Sequence, residues 1–497
     1  MDLFDVSERL PNRDDVPLSL YAKLDEEPLI DTERKVVFFE FSAISKPDFK
    51  KIKYDKNSWM KMWENKINSK GNHNLPSLFQ GVKFVNIEFS LSTENHIAKR
   101  WLKTHLQQGR RGWYEIELKD RVENDNDLKA LVYPNLFSPA LAFSVRTAKK
   151  IKGKVATTLG AVFSMTSWPA ANIADVVNVL SKADATVLAV HDIGQGNACG
   201  FRGASDKPVN LWIDIGCGVN RNASTVPSGL VLCYSKSAPI LLTHWDKDHW
   251  AGARKGAPAA QPNIFLNRTW IVPRQEVGPQ HVKFAERIIS ENGTIFIVDN
   301  SNIGTSNLLS IPIQGSRTIE ISLGTGANSD DRNNHQCIVI RVLDEMPDRK
   351  WLLPGDISYS NMPSKWYEDR YVAIVASHHG ADVGSKNVPA PYGTKDDYAV
   401  LAFTFGPGNV HGSTSVSHPT HEMTKRYAKI GWGLDGWTTS GNSGDVPPTS
   451  KGVATAQHFP AKTGKHLLGK LIGWVEPPAI DGSSPPCGMK CNAALNV

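Results

Sequence analysis

From residue 184 onward the chain is built of short apolar runs that stop at glycine- or aspartate-bearing loops. The runs are 186–190, 211–215, 238–242, 269–272, 294–298, 337–343, 351–353, 371–376 and 398–405. Runs of this length between turn residues predict buried β-strands. Helical patterns fall between them at 282–291 and 420–430. Nine strands with so few helices predict two packed sheets with helices outside, not a doubly wound sheet. Residues 1–180 read as a separate mixed region of unassigned fold. After 435 the chain turns rich in Gly, Ser, Thr and Pro, and 476–497 reads as a loose tail.

A chain of 497 residues leaves room for two to four domains. It is 40% hydrophobic and 21% charged, which excludes wholesale disorder. The longest uncharged run of interest, 155–174, contains Thr157, Thr158, Ser164, Thr166, Ser167 and Asn172. It is too polar for a membrane span, so no stable membrane insertion is expected. The first residues lack a basic and then apolar leader, and six cysteines form no disulfide framework, so a cytoplasmic location is expected.

Net charge is only +6, too mild to indicate a nucleic-acid partner by itself. Two local features qualify that. Residues 43–70 carry eight lysines against three acids, and no Asp or Glu occurs from Leu128 to Ala174. Such stretches serve either as solvated basic faces or as phosphate contacts. Histidine is uneven as well: ten of 15 lie between His191 and His421.

The strongest chemical signal is Thr-His-Trp-Asp-Lys-Asp-His-Trp-Ala-Gly at 243–252. It places His244, Asp246, Asp248 and His249 directly after a predicted strand. Four metal-competent side chains in six residues are hard to explain as a solvated turn. Imidazole suits zinc, iron or manganese, and carboxylates favour harder ions. Further candidates end later strands: Asp356 in Leu-Leu-Pro-Gly-Asp, and His378-His379 before Gly380. Asp214, ending Leu-Trp-Ile-Asp, is placed to hold the ligand loop from behind. His191-Asp192 spells the core of a helical HD-type phosphohydrolase site, but here it ends an apolar β-type run. Cys487 and Cys491 would need His458 and His466 to complete a zinc site.

The order Asp-Ile-Gly-Gln-Gly (192–196), Ile-Asp-Ile-Gly (213–216), His-x-Asp-x-Asp-His (244–249), Gly-Asp (355–356) and His-His-Gly (378–380) resembles the metallo-β-lactamase superfamily. Within it the chain is similar to the hydrolase domain of the competence protein ComEC and its standalone relatives. Weaker echoes are Asn334 to Ile340, His418-Pro419, and Thr438 to Gly444. The resemblance covers 184–475 and nothing in 1–180. It implies an α+β fold, an αββα four-layer sandwich, with an additional N-terminal domain.

The resemblance also implies two divalent metal ions. His244 and Asp246 would bind one, Asp248 and His249 the other, Asp356 would bridge, and His378 would complete the site. His379 would either replace His378 or stand beside the ligands with Asp192, Asp214 and His421, since sequence alone does not fix which ring points inward. Asp246 stands where the broader superfamily has histidine, which moves the expected metal from zinc towards manganese, with magnesium also compatible. No clear further histidine ligand occurs between Gly252 and Asp356; His281 and His335 are poorly placed. Ala381 replaces the family's Ser, with Ser385 nearby.

The expected activity is metal-dependent phosphodiester hydrolysis, with nucleic acid as substrate and a metal-activated hydroxide as nucleophile. Asp248 or Asp356 would orient the nucleophile. His418 or His421 would protonate the leaving group. Two alternatives stand beside it: hydrolysis of a small ester, lactone or cyclic nucleotide, and a binding or sensor protein with a regulatory or degenerate metal site and a protein partner on its N-terminal region.

Overall fold

The computed structural model describes residues 4, 6, 10–25, 28–51, 61, 63, 79–96, 99, 112–120, 128–234, 237–304, 306–325, 336–346, 348–384, 387–394, 396–406, 409, 418–434, 451–454, 467–478 and 494–496. Asn334, His335, Ser385, 438–444, His458, His466, Cys487 and Cys491 lie outside the described residues.

The N-terminal region, unassigned from sequence, is an antiparallel barrel. Its strands are β1 (Ser19–Leu24), β2 (Leu29–Asp31), β3 (Val36–Ser45), β4 (Phe84–Ser92), β5 (Trp113–Lys119), β6 (Lys129–Tyr133) and β7 (Leu141–Lys150). The order β1-β5-β7-β6-β4-β3 closes on itself because β1 also pairs with β3, and β2 is added outside β3. Alternation explains the closure. Val37, Phe39, Phe41 and Ala43 of β3 and Val85, Ile87, Phe89 and Leu91 of β4 point into one apolar interior. The opposite parity carries Lys23, Glu40, Ser42, Asn86 and Glu88, with Asp25 just past β1. Most of these are buried too, against the rest of the molecule.

Two helices, Gly153–Val162 and Ile173–Leu180, follow the barrel. Asn172 caps the second, its side chain accepting from the Ala174 N–H. No helix among the described residues is long and apolar enough to cross a membrane.

The second half holds β8 (Val187–His191), β9 (Cys199–Arg202), β10 (Leu211–Ile213), β11 (Ile240–Leu241), β12 (Thr269–Pro273) and β13 (Thr294–Val298). They are followed by β14 (Leu309–Pro312), β15 (Thr318–Leu323), β16 (Ile338–Leu343) and β17 (Lys350–Leu353). Then come β18 (Arg370–Tyr371), β19 (Ala373–Val375), β20 (Ala390–Pro391), β21 (Val400–Phe403), β22 (Gly452–Ala454), β23 (Leu467–Ile472) and β24 (Ala494–Asn496). One sheet runs β13-β12-β11-β10-β9-β8-β23-β24, the other β14-β15-β16-β17-β19-β21-β22. The segment read as a loose tail thus contributes an edge strand, β24, parallel to β23.

A shared apolar core joins the two sheets. Val190, Phe201, Ile213, Leu241 and Ile271 of the first meet Ile321, Ile340, Trp351, Val375 and Ala402 of the second. Helix Pro279–Ser290 covers the other face of the first sheet. Its Phe284 stacks on Trp250 with ring centroids 4.1 Å apart. Helices Ser364–Glu368 and His421–Lys429 pack Trp366, Met423 and Tyr427 with Leu352, Ile374 and Leu401 of the second sheet.

The arrangement positions the site. Strands β10–β11–β12–β13 run parallel in one sheet, and β17–β19–β21–β22 in the other. The loops after β10, β11, β17, β19 and β21 carry Asp214, His244–His249, Asp356, His378–His379 and Thr404.

Candidate metal centre

The ligand loop after β11 is pressed onto two glycine turns. A Cβ at Gly216 would lie 1.6 Å from the Asp248 carbonyl oxygen, and one at Gly196, whose φ is +127°, 2.4 Å from it. Only glycine permits such an approach. The Asn197 N–H donates to that same carbonyl (3.2 Å), and the Ile215 N–H to the His249 carbonyl (2.9 Å). The backbone between His244 and His249 is thereby fixed before any side chain is considered.

Asp214 then sets the imidazoles. It is fully buried, with φ +57°. Its Oδ1 accepts the Thr243 N–H (2.7 Å). Its Oδ2 accepts the Thr243 hydroxyl (2.8 Å), the Asn197 amide (3.0 Å) and His249 Nδ1–H (2.8 Å). With its proton committed to Asp214, the Thr243 hydroxyl accepts from His244 Nδ1–H (3.0 Å). Both histidines therefore carry their proton on Nδ1 and turn an Nε2 lone pair inward. His379 Nδ1 is bonded to the Thr404 hydroxyl (3.0 Å), which holds the ring with its Nε2 towards the carboxylates.

The Nε2 atoms of His244, His249 and His379 are buried without a hydrogen-bond partner. Carboxylates face them. His244 Nε2 lies 3.3 Å from Asp246 Oδ2 and 3.7 Å from Asp356 Oδ2. His249 Nε2 lies 3.1 Å from Asp356 Oδ1 and 4.0 Å from Asp248 Oδ1. His379 Nε2 lies 3.2 Å from Asp248 Oδ2 and 3.7 Å from Asp356 Oδ2. Lone pairs and carboxylate oxygens turned towards one another repel unless a proton or cation stands between them. The donor set thus fits a cation. Among the described residues, two groups are able to hold a metal ion: His244, His249 and Asp356, and Asp248, His249 and His379.

The electrostatics agree. Burial opposes charge on His249, yet Asp356 and Asp214 outweigh it and raise its pKa well above the ordinary range. His244 is raised in the same way by Asp246 and Asp356 against burial. Burial also opposes charge on Asp356, but the surrounding imidazoles hold it well below the usual carboxylate range. Without a cation the cluster takes up protons, and a cation competes for the same positions.

His379, read from sequence as a neighbour of the ligands or a replacement for His378, belongs to one of these groups. His378 belongs to neither: it is partly exposed, with Nε2 3.5 Å from Asp356 Oδ2. The cause is backbone. Both histidines adopt left-handed φ (48° and 56°), which turns consecutive side chains in directions no regular strand end would give. Asp246 adjoins His244 but enters neither group.

Asp192 lies in the turn after β8 and accepts the Gly194 N–H (3.2 Å). The helical site that a His-Asp pair would need is absent there, since His191 ends a strand. His281 caps its own helix, its Nδ1 accepting the Gly278 N–H (3.1 Å), and burial lowers its pKa to about 4. His418 stands over the histidine pair, its ring centroid 5.0 Å from that of His378 and 6.0 Å from that of His379. His421 opens the helix after the N-cap Thr420 and joins neither metal-competent group.

Four contributors escaped the sequence reading. Thr243 opens the 243–252 motif without having been given a role, Asn197 follows a recognised motif, and Thr404 lies within the predicted run 398–405. Lys247, inside the ligand loop, is buried and donates to Asp25 Oδ2 (2.5 Å) and Glu40 Oε1 (2.7 Å), both from the barrel region. Burial disfavours its charge, but Asp25 and Glu40 more than compensate and raise its pKa.

No family model matches this sequence, and no curated protein matches it. Among solved structures, one match is a crystal structure of a new diphosphatase from the PhnP family. It is 12% identical, has a TM-score of 0.22, and covers 38% of this chain and 72% of that one.

Proposed function

We propose that the chain is a metal-dependent phosphodiesterase of the metallo-β-lactamase type, an αββα hydrolase with an added N-terminal barrel, acting on nucleic acid. The observation that carries the reading is the convergence of three buried imidazole Nε2 atoms without hydrogen-bond partners on two carboxylates, from three separate loops. His244, Asp246, Asp248, His249, Asp356, His378 and His379 would hold two divalent cations, manganese or zinc, with magnesium also compatible. Such cations supply Lewis acidity towards a phosphate ester and a hydrolytic nucleophile at neutral pH.

The chain's own residues do the rest. Asp214 and Thr243 keep the imidazole protons on Nδ1, so that the ligating atoms need no rearrangement. Asp248, at the partly exposed side of the cluster, orients the attacking group. His418 faces the departing oxygen. The exposed Lys129, Arg146, Lys149, Lys152 and Lys154 support a polyanionic substrate.

The test is incubation of purified protein with plasmid, single-stranded DNA and RNA, with manganese, magnesium or zinc, beside an Asp248→Ala/His249→Ala double variant. Metal-dependent cleavage that disappears in the variant is expected. Intact polymers with turnover of p-nitrophenyl esters would replace this reading by small-ester hydrolysis. Absence of bound metal by elemental analysis after loading would overturn both.

A further inference from the structure

The face of the first sheet that turns away from the shared core carries two buried polar side chains with unmatched hydrogen-bonding atoms. Val190, Cys199, Phe201, Leu211 and Ile213 point into the core between the sheets. Alternation then sends Ala189, His191, Gly200, Arg202 and Trp212 to the opposite face. Register sets them side by side: Gly200 lies between Ala189 and Trp212, and Arg202 opposite Val187. The His191 ring packs on Trp212 with centroids 4.9 Å apart.

Arg202 is fully buried. Its Nη1 donates to the Ser205 carbonyl (3.0 Å), but its Nε and Nη2 have no hydrogen-bond partner. These two atoms form one edge of the guanidinium. Their N–H bonds run parallel, as the fork that receives two oxygens of a carboxylate or a phosphate. Ser205 therefore engages the group from elsewhere and leaves the fork intact. His191 is buried as well, and neither of its ring nitrogens is hydrogen-bonded. Burial and the Arg202 charge press its pKa down to about 3, so the ring is neutral.

Other deeply set cations of the molecule are compensated. Lys23, Lys247, Arg317 and Arg341 each meet a carboxylate. Among the described residues no carboxylate pairs with Arg202. Asp184, packed against the neighbouring Gly203, is committed to Thr186, accepting its N–H (3.1 Å) and its hydroxyl (2.7 Å). Burial opposes the charge on Arg202, and among the described residues Cys233 alone favours it. A lysine or a carboxyl escapes such a position by becoming neutral, whereas arginine keeps its proton and requires a counter-charge.

We propose that Arg202 anchors a buried oxyanion site on the outer face of the first sheet, with His191 as its polar neighbour and a small carboxylate or phosphate as its ligand. The site is separate from the metal centre, since neither residue enters a metal-competent group. It stands without the hydrolase reading. Because Arg202 is fully buried, the anion is enclosed as the chain folds, and its binding free energy adds to stability.

The test begins with full-length protein stripped of metal by EDTA, desalted into chloride buffer and denatured in urea, with the released anions measured by ion chromatography. Wild type is expected to release an equimolar amount of phosphate or of a carboxylate, and Arg202→Met none. The identity of the released anion separates the two sources. Urea midpoints are then compared in chloride with and without added phosphate or acetate at equal ionic strength. The anion that binds should raise the wild-type midpoint and leave that of Arg202→Met unmoved.

The sign of the stability change is decisive. Arg202→Met should be less stable than wild type, because the contribution of the bound anion is lost. A guanidinium buried without a counter-ion would give the opposite sign, since an apolar side chain of similar volume then stabilises. A variant as stable as wild type or more so overturns the proposal. So does a wild type that releases no anion and whose midpoint neither anion moves, whatever the variants do. If Arg202→Met does not fold, Arg202→Lys, which keeps the charge without the fork, takes its place. It should release less anion than wild type, and equal release overturns the fork. His191→Phe, which retains a ring against Trp212, should also release less, and equal release overturns the part given to His191. Cys233→Ser should release as much as wild type. Loss of the anion-free stability in Cys233→Ser, with no anion released by wild type, would make a thiolate the counter-charge and overturn the site.

Discussion

The barrel and the two-sheet half use burial in different ways. In the two-sheet half most central strands are apolar on both faces, because each sheet is covered by its partner on one side and by helices or the barrel on the other. Its polar residues are displaced to the strand ends, where they gather as a site. In the barrel one face of each strand is apolar and the other carries charge. That charge is buried only by docking, and part of it grips the ligand loop through Lys247. One region thus supplies the candidate chemistry, and the other holds the loop that carries most of it.

The comparison is broken most directly at the site itself. Asp356→Ala removes the carboxylate facing all four neighbouring imidazoles. Metal affinity, measured by titration calorimetry, should fall by more than the ~10–100-fold typical of losing an outer partner, and phosphodiester hydrolysis should drop to background. Retention of both would place the centre elsewhere.

Lys247→Met tests the barrel's share. It leaves the buried Asp25 carboxylate and the half-buried Glu40 without their cation, and removing one partner of a buried pair costs roughly 3–5 kcal/mol. Urea denaturation should register that loss, together with weaker metal binding. A change of stability with no change in metal affinity would make the grip purely architectural.

Glu88 sharpens the same interface through pH. Burial raises its pKa from 4.5 to about 7, against the pull of the neighbouring Arg221. The folded protein then binds a proton that the unfolded chain releases. The contribution is full below about 4.5 and is lost as pH rises through about 7, worth up to about 3 kcal/mol at 1.36 kcal/mol per pH unit. Glu88→Gln should flatten denaturation free energy across this window. An identical pH slope in the variant would assign the dependence to other groups.

Asp214→Asn should lower metal affinity about 10–100-fold while leaving the fold in place, because an amide has one acceptor oxygen and can no longer accept the Thr243 N–H on one side and His249 on the other. The smallest effect is expected from Lys152→Glu/Lys154→Glu on the exposed basic stretch. If these lysines bind a polyanion, the logarithmic salt slope of DNA affinity should fall by about one for each phosphate no longer neutralised. An unchanged slope would remove this stretch from the substrate path.

Much of the two-sheet half was legible because its signals are local. All nine apolar runs contain strand residues, and the helix predicted over 282–291 spans Pro279–Ser290. Among the strands that escaped notice, some are very short, such as β20 and β22, and β15 alternates polar with apolar residues. In β15, Glu320 pairs across the sheet with Arg341 of β16, so the run does not read as apolar. The barrel escaped for a related reason: closure depends on β1 meeting both β3 and β5, pairings separated by long stretches of sequence.

The site divides along the same line. His244, Asp246, Asp248 and His249 were visible because four competent side chains fall in six residues, and Asp356 because it ends an apolar strand after glycine. Sequence by itself determined which residue types are available and which strand ends carry them, since period and composition are local properties. Tertiary structure decided that His379 rather than His378 places a ring nitrogen in a metal-competent group, through two left-handed backbone residues. It decided that His244 and His249 carry their protons on Nδ1, because a ring's tautomer is set by the atom that faces it. It also decided that Lys247 belongs with Asp25 and Glu40, because a buried charge is compensated only by what folding brings alongside it.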